Sequence, residues 1–125
     1  MKSKKIYIKL LIIFFISSGC VQKKEMGIGS FNKLISHRNL GFAYLEEERY
    51  SDAAREFTSF IDIAPAEASG YANLGWAYLQ FPDKLDSAEI MLQHAMKLSP
   101  DNPDIAFLAA KMYELTNRKN KAIEV

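Results

Sequence analysis

The segment Leu74-Gly75-Trp76-Ala77-Tyr78 decides the fold of this chain, because a near copy of it lies upstream. The copy is Leu40-Gly41-Phe42-Ala43-Tyr44, and its Leu, Gly and Tyr each precede their counterparts by 34 positions. Each copy is followed by an alanine, by an apolar residue four positions after it, and by a proline. A single packed core does not require such strict spacing, so the period indicates an internal repeat.

Each half of the repeat reads as an amphipathic helix. In the second half of the upstream copy, apolar residues recur at helical spacing and form one stripe, namely Tyr50, Ala53, Ala54, Phe57, Phe60, Ile61 and Ala64. Ser51 stands where an N-cap is expected, and Pro65 ends the helix because proline disfavours helical geometry in the residue before it. Gly41 and Gly75 lie inside predicted helices, at a cost of roughly 1 kcal/mol relative to alanine. Their recurrence therefore suggests a steric requirement.

This pattern resembles the tetratricopeptide repeat, whose period is about 34 residues. The resemblance covers about residues 34–125 and implies an all-α fold in which helix-turn-helix repeats stack as a right-handed solenoid. It implies a domain over residues 31–125, with repeats at about 34–66 and 67–101 and an incomplete one at 102–125. In this family the glycine lets the first helix of a repeat approach the second, where Ala53 or Ala88 faces it.

The repeat register predicts where the helices lie. We expect helices near residues 32–47, 50–64, 67–81, 84–98 and 102–116. The second copy has one additional residue, which we place in the turn at residues 81–84 because proline tolerates an insertion there. The third copy has Ala122 where the alanine of its second helix belongs, and the chain ends at Val125. We therefore expect these residues to be the N-terminal piece of a larger protein or a truncated reading frame; the alternative is a small lipoprotein whose end packs on a partner or on a second copy.

The N-terminus has the order of a secretory signal. Residues 2–9 carry four lysines and no acidic residue, residues 10–16 are wholly apolar, and small residues precede Cys20. Ser18-Gly19-Cys20 resembles the lipobox of bacterial lipoproteins, in which the cysteine is acylated and becomes the mature N-terminus. The resemblance implies a signal peptide at 1–19, a lipidated Cys20 that opens a flexible spacer at 20–30, and a membrane-anchored protein of the bacterial cell envelope. Val21 and Gln22 stand where aspartate would signal inner-membrane retention, which favours the outer membrane. The alternatives are a secretory signal without lipidation and an uncleaved anchor.

Charge and residue content argue against several other functions. Removing residues 1–19 leaves 12 of the 16 basic residues against 15 acidic ones, a net charge of −3. There is no basic patch with interleaved aromatic residues, so the sequence does not favour a nucleic-acid partner. His37, His94 and the single cysteine lack metal-ligand spacing. We find no catalytic constellation and no cofactor motif, and we expect neither an enzyme nor a bound cofactor.

The resemblance implies that the protein is an interaction scaffold. In the family, the first helices form a concave groove that binds an extended peptide or a partner helix. The positions carried over to this sequence are Arg38, Asn39, Phe42, Asn73, Trp76, Gln80, Phe107 and Lys111. Asn39 and Asn73 are equivalent and can hold a peptide backbone, or they are solvated. Phe42 and Trp76 are equivalent and can anchor a ligand, or they pack on the neighbouring helix as core.

The sequence suggests further hypotheses about what the protein binds or is joined to. Some members of the family bind a C-terminal carboxylate through a clamp of two lysines, two asparagines and an arginine. Arg38 and Asn73 fit two of these positions, whereas the other three hold Phe42, Asp104 and Leu108, so we do not expect that clamp. The incomplete third repeat makes a homo-oligomer possible, and the competing hypothesis is a recognition arm for a catalytic domain beyond Val125.

Overall fold

The computed structural model describes residues 25–116, and this part of the chain is all-α with no strand. The helices are α1 (Ile28–Glu46), α2 (Tyr50–Ile63), α3 (Ala68–Tyr78), α4 (Leu85–Leu98) and α5 (Pro103–Leu115), with a 3₁₀ turn at Pro82–Lys84. Each helix packs on the next along the chain, and α3 also touches α5. This arrangement confirms the predicted stack of helix pairs.

The recurring glycines lie where paired helices come closest. A Cβ atom on Gly41 would lie 2.7 Å from Cζ of Phe57, and one on Gly75 would lie 2.8 Å from Cγ of Leu92. Phe57 and Leu92 are fully buried, so neither side chain has room to withdraw. The predicted steric requirement is therefore confirmed, and the atoms nearest to the two glycines belong to these large side chains. Ala88 contributes its carbonyl oxygen, 3.4 Å from the Cβ position at Gly75.

The first helix begins earlier than predicted. Gly27 precedes it with extended backbone (φ −62°, ψ 152°), and the amide of Phe31 donates to the Gly27 carbonyl oxygen at 3.0 Å. The helical hydrogen bonds of α1 thus begin before the residues that follow an apolar periodicity. The periodicity therefore could not reveal where this helix starts. Residues 28–30, expected in the spacer, belong to α1.

The start of α2 differs from the N-cap prediction. The helix begins at Tyr50, so Ser51 lies in its first turn, and no side chain caps it. Arg49 precedes the helix, and its guanidinium contacts the Asp52 carboxylate at 2.6 Å. This contact lowers the pKa of Asp52 below its ordinary value, chiefly through the hydrogen bond from Arg49. An ion pair therefore takes the place expected for a serine cap.

The turn between α1 and α2 closes with paired backbone hydrogen bonds. The amide of Arg49 donates to the Tyr44 carbonyl oxygen (2.8 Å), and that of Glu48 donates to the Leu45 carbonyl oxygen (3.1 Å). Glu48 has a φ of 58°, the left-handed conformation that such a C-terminal motif requires. The acidic run at the end of α1 is thus a structural turn.

The equivalent turn after α3 carries the additional residue. Helix α3 ends at Tyr78, three residues before its predicted end, and the 3₁₀ turn Pro82–Lys84 leads directly into α4. Lys84 places its ammonium 4.8 Å from the centre of the Phe81 ring and 5.2 Å from that of Tyr78. The insertion is therefore at residues 81–84, as predicted.

None of the helices in residues 25–116 is both long and apolar enough to cross a bilayer. The predicted signal peptide, Cys20 and the partial helix near Ala122 lie outside the described residues.

Candidate functional site

The largest gathering of the predicted site residues is a groove between α1, α3 and α5, which we call the central groove. Its volume is about 330 Å³. It is lined by Phe42, Asn73, Trp76, Asp104, Phe107, Leu108 and Lys111. Three helices that are first in their repeats thus supply one surface, and five of the eight predicted site residues meet there.

Helix α5 contributes more than half of this lining. Its side of the groove is a stripe at i, i+3, i+4 and i+7, which places Asp104, Phe107, Leu108 and Lys111 on one face. The start of the helix is fixed by Asn102, whose Oδ1 accepts hydrogen bonds from the amides of Asp104 (3.0 Å) and Ile105 (3.3 Å). The cap therefore sets the position of Asp104 at one end of the groove.

Aromatic side chains form the apolar surface of the groove. The Phe42 ring meets the buried Phe57 edge-on at 5.5 Å and the Trp76 ring at 6.4 Å. Phe42 and Trp76 are half-buried, so each packs on its neighbours and also presents part of its ring to the groove. Phe107 on the opposite wall is 67% exposed. The packing alternative considered for Phe42 and Trp76 is therefore realised in part, and the anchoring of a ligand stays a prediction.

The polar groups of the central groove have no partners within residues 25–116. The side-chain amide of Asn73 makes no hydrogen bond there, and neither Asp104 nor Lys111 forms an ion pair. Asn73 is half-buried, whereas Asp104 and Lys111 are exposed. The groove thus offers an amide, a carboxylate and an ammonium around an aromatic centre.

Comparison with solved structures places this architecture. The second TPR domain of Spaghetti (RPAP3), bound to the HSP90 peptide SRMEEVD, is similar with a TM-score of 0.68 and 24% identity, over 77% of this chain and 90% of that one. A TPR domain of Arabidopsis OM64 gives 0.68 and 20%, over 74% and 76%. The TPR2B domain of yeast Sti1, in a complex with Hsp70, gives 0.69 and 22%, over 74% and 73%. The chain has the tetratricopeptide-repeat fold.

Sequence comparison finds a further similarity. The chain is 34% identical over 96 residues to protein O-mannosyl-transferase TMTC3 from Homo sapiens. The matched region is 76% of this chain but spans only 10% of that protein. No family model matches the chain.

A side pocket of about 210 Å³ adjoins the central groove in this tetratricopeptide structure. It brings together all the positions at which the family's carboxylate clamp would lie, namely Arg38, Phe42, Asn73, Asp104 and Leu108. Apolar groups thus occupy two of these positions and a carboxylate occupies a third. Because like charges repel, this pocket is poorly suited to a second carboxylate.

Two predicted groove residues are not among those that line the central groove or the side pocket. Gln80 lies beyond the end of α3, and its amide turns back to donate to the Trp76 carbonyl oxygen at 3.4 Å. Asn39 is exposed, about 100° around α1 from Arg38, which shares the lining face with Phe42 one turn later. The equivalence of positions between repeats therefore predicted correctly which helices line the groove, but it placed the end of α3 too late.

Repeat equivalence also carries Leu108 into the groove, whereas Asp104 was named only as a departure from the clamp and Asn102 was not identified as the cap. The signal for Asn102 and Asp104 was present, since Asn102-Pro103-Asp104 is a typical helix start.

The histidines have structural contacts. His37 Nδ1 lies 2.7 Å from Oε2 of Glu56, linking α1 to α2, and the His94 ring lies 4.2 Å from the Tyr71 ring. Within residues 25–116 no group of His, Cys, Asp and Glu side chains is placed to hold a metal ion.

Proposed function

We propose that this protein is a protein-binding scaffold whose central groove holds a peptide or a partner helix. The observation that carries the proposal is the meeting of Phe42, Trp76 and Phe107 around the unpartnered amide of Asn73. Partly exposed aromatic side chains are the usual anchors of protein interfaces. Two similar solved structures support the same role, since the second TPR domain of Spaghetti (RPAP3) is bound to an HSP90 peptide and that of human RPAP3 to an HSP70 peptide. We assign the chain a binding role rather than a catalytic one.

The groove would recognise its ligand through two kinds of contact. The aromatic rings would cover an apolar side chain of the ligand and remove it from water. The Asn73 amide has a donor and an acceptor, so it can pair with both the carbonyl and the amide of one ligand peptide unit. Both contacts are possible without rearranging the helices.

A matched pair of asparagine variants tests the groove. Asn73→Ala should reduce binding of peptides selected from a displayed random library by roughly tenfold or more, because a hydrogen-bonded group contributes about 1 kcal/mol and its loss leaves a ligand group unpaired. Asn39→Ala makes the same change at the equivalent position outside the groove and should leave binding unchanged. Helical circular dichroism and the melting temperature should stay near those of the wild type in both. Equal loss in both variants, or a large fall in melting temperature for Asn73→Ala alone, would contradict the proposal.

We also propose that Cys20 is lipidated and tethers the scaffold to a bacterial envelope membrane. The basic, apolar and small-residue segments before Cys20 support this. The test is the intact mass and fractionation of the chain expressed in a bacterium, beside Cys20→Ala. A mass equal to residues 20–125 plus a diacylglyceryl and an acyl group, in the membrane fraction and absent from the variant, is expected. A chain that is soluble after cleavage, or that keeps residues 1–19, would contradict the tether.

A further inference from the structure

We propose that the central groove selects an extended segment in which a basic and an acidic residue lie about three positions apart, with apolar residues between them. The inference rests on the proposed binding function of the same groove and states the chemistry of its ligand. It predicts an internal segment of a partner chain rather than an acidic C-terminal tail.

The charged residues of the groove favour a ligand with complementary charges. Asp104 lies near the start of the α5 stripe and Lys111 near its end, and neither is paired within residues 25–116. A ligand with one charge of each sign would satisfy both groups, whereas a ligand with two acidic residues would meet repulsion at Asp104. Arg38 lines the side pocket but not the central groove, so Asp104 and Lys111 are the charged residues of the groove itself.

The distance between Asp104 and Lys111 determines the spacing of the two charges in the ligand. Asp104 and Lys111 are seven residues apart on one helix, which at 1.5 Å per residue separates them by about 10 Å along the axis. A ligand chain in the extended polyproline II conformation advances about 3.1 Å per residue with three residues per turn, so two side chains three positions apart cover this distance and lie on the same side of the ligand. A groove of about 330 Å³ holds a few side chains and is small for a helix about 10 Å across, which favours an extended segment.

Aromatic side chains lie beside the two charges of the groove. Phe42, Trp76 and Phe107 line the groove next to the charged stripe, so the two ligand residues between the ligand charges meet aromatic surface. The Asn73 amide lies in the same lining and can hold the ligand backbone there. Apolar residues at these two positions therefore complete the match.

Trp76 allows the proposal to be tested directly, because it is the only tryptophan of the chain and it lines the groove. Its fluorescence in the full chain, purified in detergent, is titrated with the capped peptide acetyl-Gly-Lys-Phe-Leu-Glu-Gly-amide. Two comparison peptides carry glutamate at both charged positions or glutamine at both. We expect the mixed-charge peptide to bind about fivefold more tightly than the doubly acidic one.

A charge-reversal variant identifies the residue responsible. Asp104→Lys should invert the order, so that the doubly acidic peptide binds more tightly than the mixed-charge one. Asp62→Lys makes the same change at an exposed position of α2 that does not line the groove, and it should leave the order unchanged. The melting temperature of each variant shows whether it is folded.

The outcomes separate this inference from the function on which it rests. If peptides bind but the order is not inverted in Asp104→Lys, or if the wild type prefers the doubly acidic peptide, the inference is wrong and the binding function stands. If none of the three peptides binds, selection from the displayed random peptide library tests both the inference and the binding function. Enrichment of mixed-charge apolar segments supports the inference, enrichment of other ligands overturns it alone, and no enrichment overturns both.

Discussion

Gly41 shows how much a single residue position reveals. Its recurrence at Gly75 predicted a close approach between helices, because a helix-weakening residue at the same place in two repeats requires a steric reason. The sequence could not identify the side chain that fills the space, since that depends on how Phe57 and Leu92 turn inside the finished core. The structure supplies these partners, and with them a quantitative prediction.

Gly41→Ala should destabilise the fold by about 1–3 kcal/mol, because the added methyl would overlap the fully buried Phe57 ring. Gly29→Ala is the matched control, since it lies in the same helix with no atom within 4 Å of its Cβ position. There the better helix propensity of alanine should stabilise by up to about 1 kcal/mol. Urea denaturation followed by circular dichroism measures both. If both variants changed the free energy of unfolding in the same direction, the contact between Gly41 and Phe57 would have room for a methyl group.

At the scale of the element, helix existence was predictable and helix ends were not. The repeat register placed every helix of residues 25–116, because equivalent helices recur at the same positions of successive copies. Ends depend on local hydrogen bonds that the register does not encode. This is why Ser51 was wrongly taken as a cap, and why α3 ends three residues before its predicted end. The central groove itself depends on the ends, since Asn102 sets where the α5 stripe begins.

The start of α2 leads to a prediction about pH. Arg49 lowers the pKa of Asp52 in the folded chain, so the ionised carboxylate stabilises the fold above its ordinary titration range. That contribution is present at neutral pH and is lost as the pH falls below about 4 and Asp52 becomes protonated. The melting temperature of the wild type should therefore exceed that of Asp52→Asn at pH 7, and the difference should shrink in acid.

Ser51→Ala is the control for this element. Ser51 is exposed in the first turn and does not cap the helix, so its removal should leave the melting temperature nearly unchanged at every pH. A loss comparable with that in Asp52→Asn would restore the serine cap expected from the sequence and contradict the ion-pair interpretation.

Residues 25–116 form a row of small cores rather than one large core. One cluster joins α1 to α2 around Phe60, the next joins α2 to α3 around Phe57, and the third joins α3, α4 and α5 around Leu92. Helix α3 contributes to the second and third, so it links the two ends of the described chain. The 34-residue period predicted this architecture because repeats bury their apolar faces only by stacking. Of the two charged residues of the groove, repeat equivalence predicted the place of Lys111, whereas Asp104 was considered only as a clamp position.

A chain of linked cores predicts how a local change spreads. Leu92→Ala and Phe57→Ala each remove a fully buried side chain and should cost about 2–5 kcal/mol. Hydrogen exchange measured by mass spectrometry should show faster exchange of α3 amides in both variants, because α3 packs on both clusters. Amides of α5 should respond mainly to Leu92→Ala and those of α1 mainly to Phe57→Ala, since each repeat contacts only its neighbours. Equal acceleration in every helix of both variants would show one cooperative unit, in which a ligand in the groove would stabilise α1 and α5 together. Acceleration confined to the neighbouring helices would mean that the groove is assembled from parts that open independently, and that its ligand would hold them together.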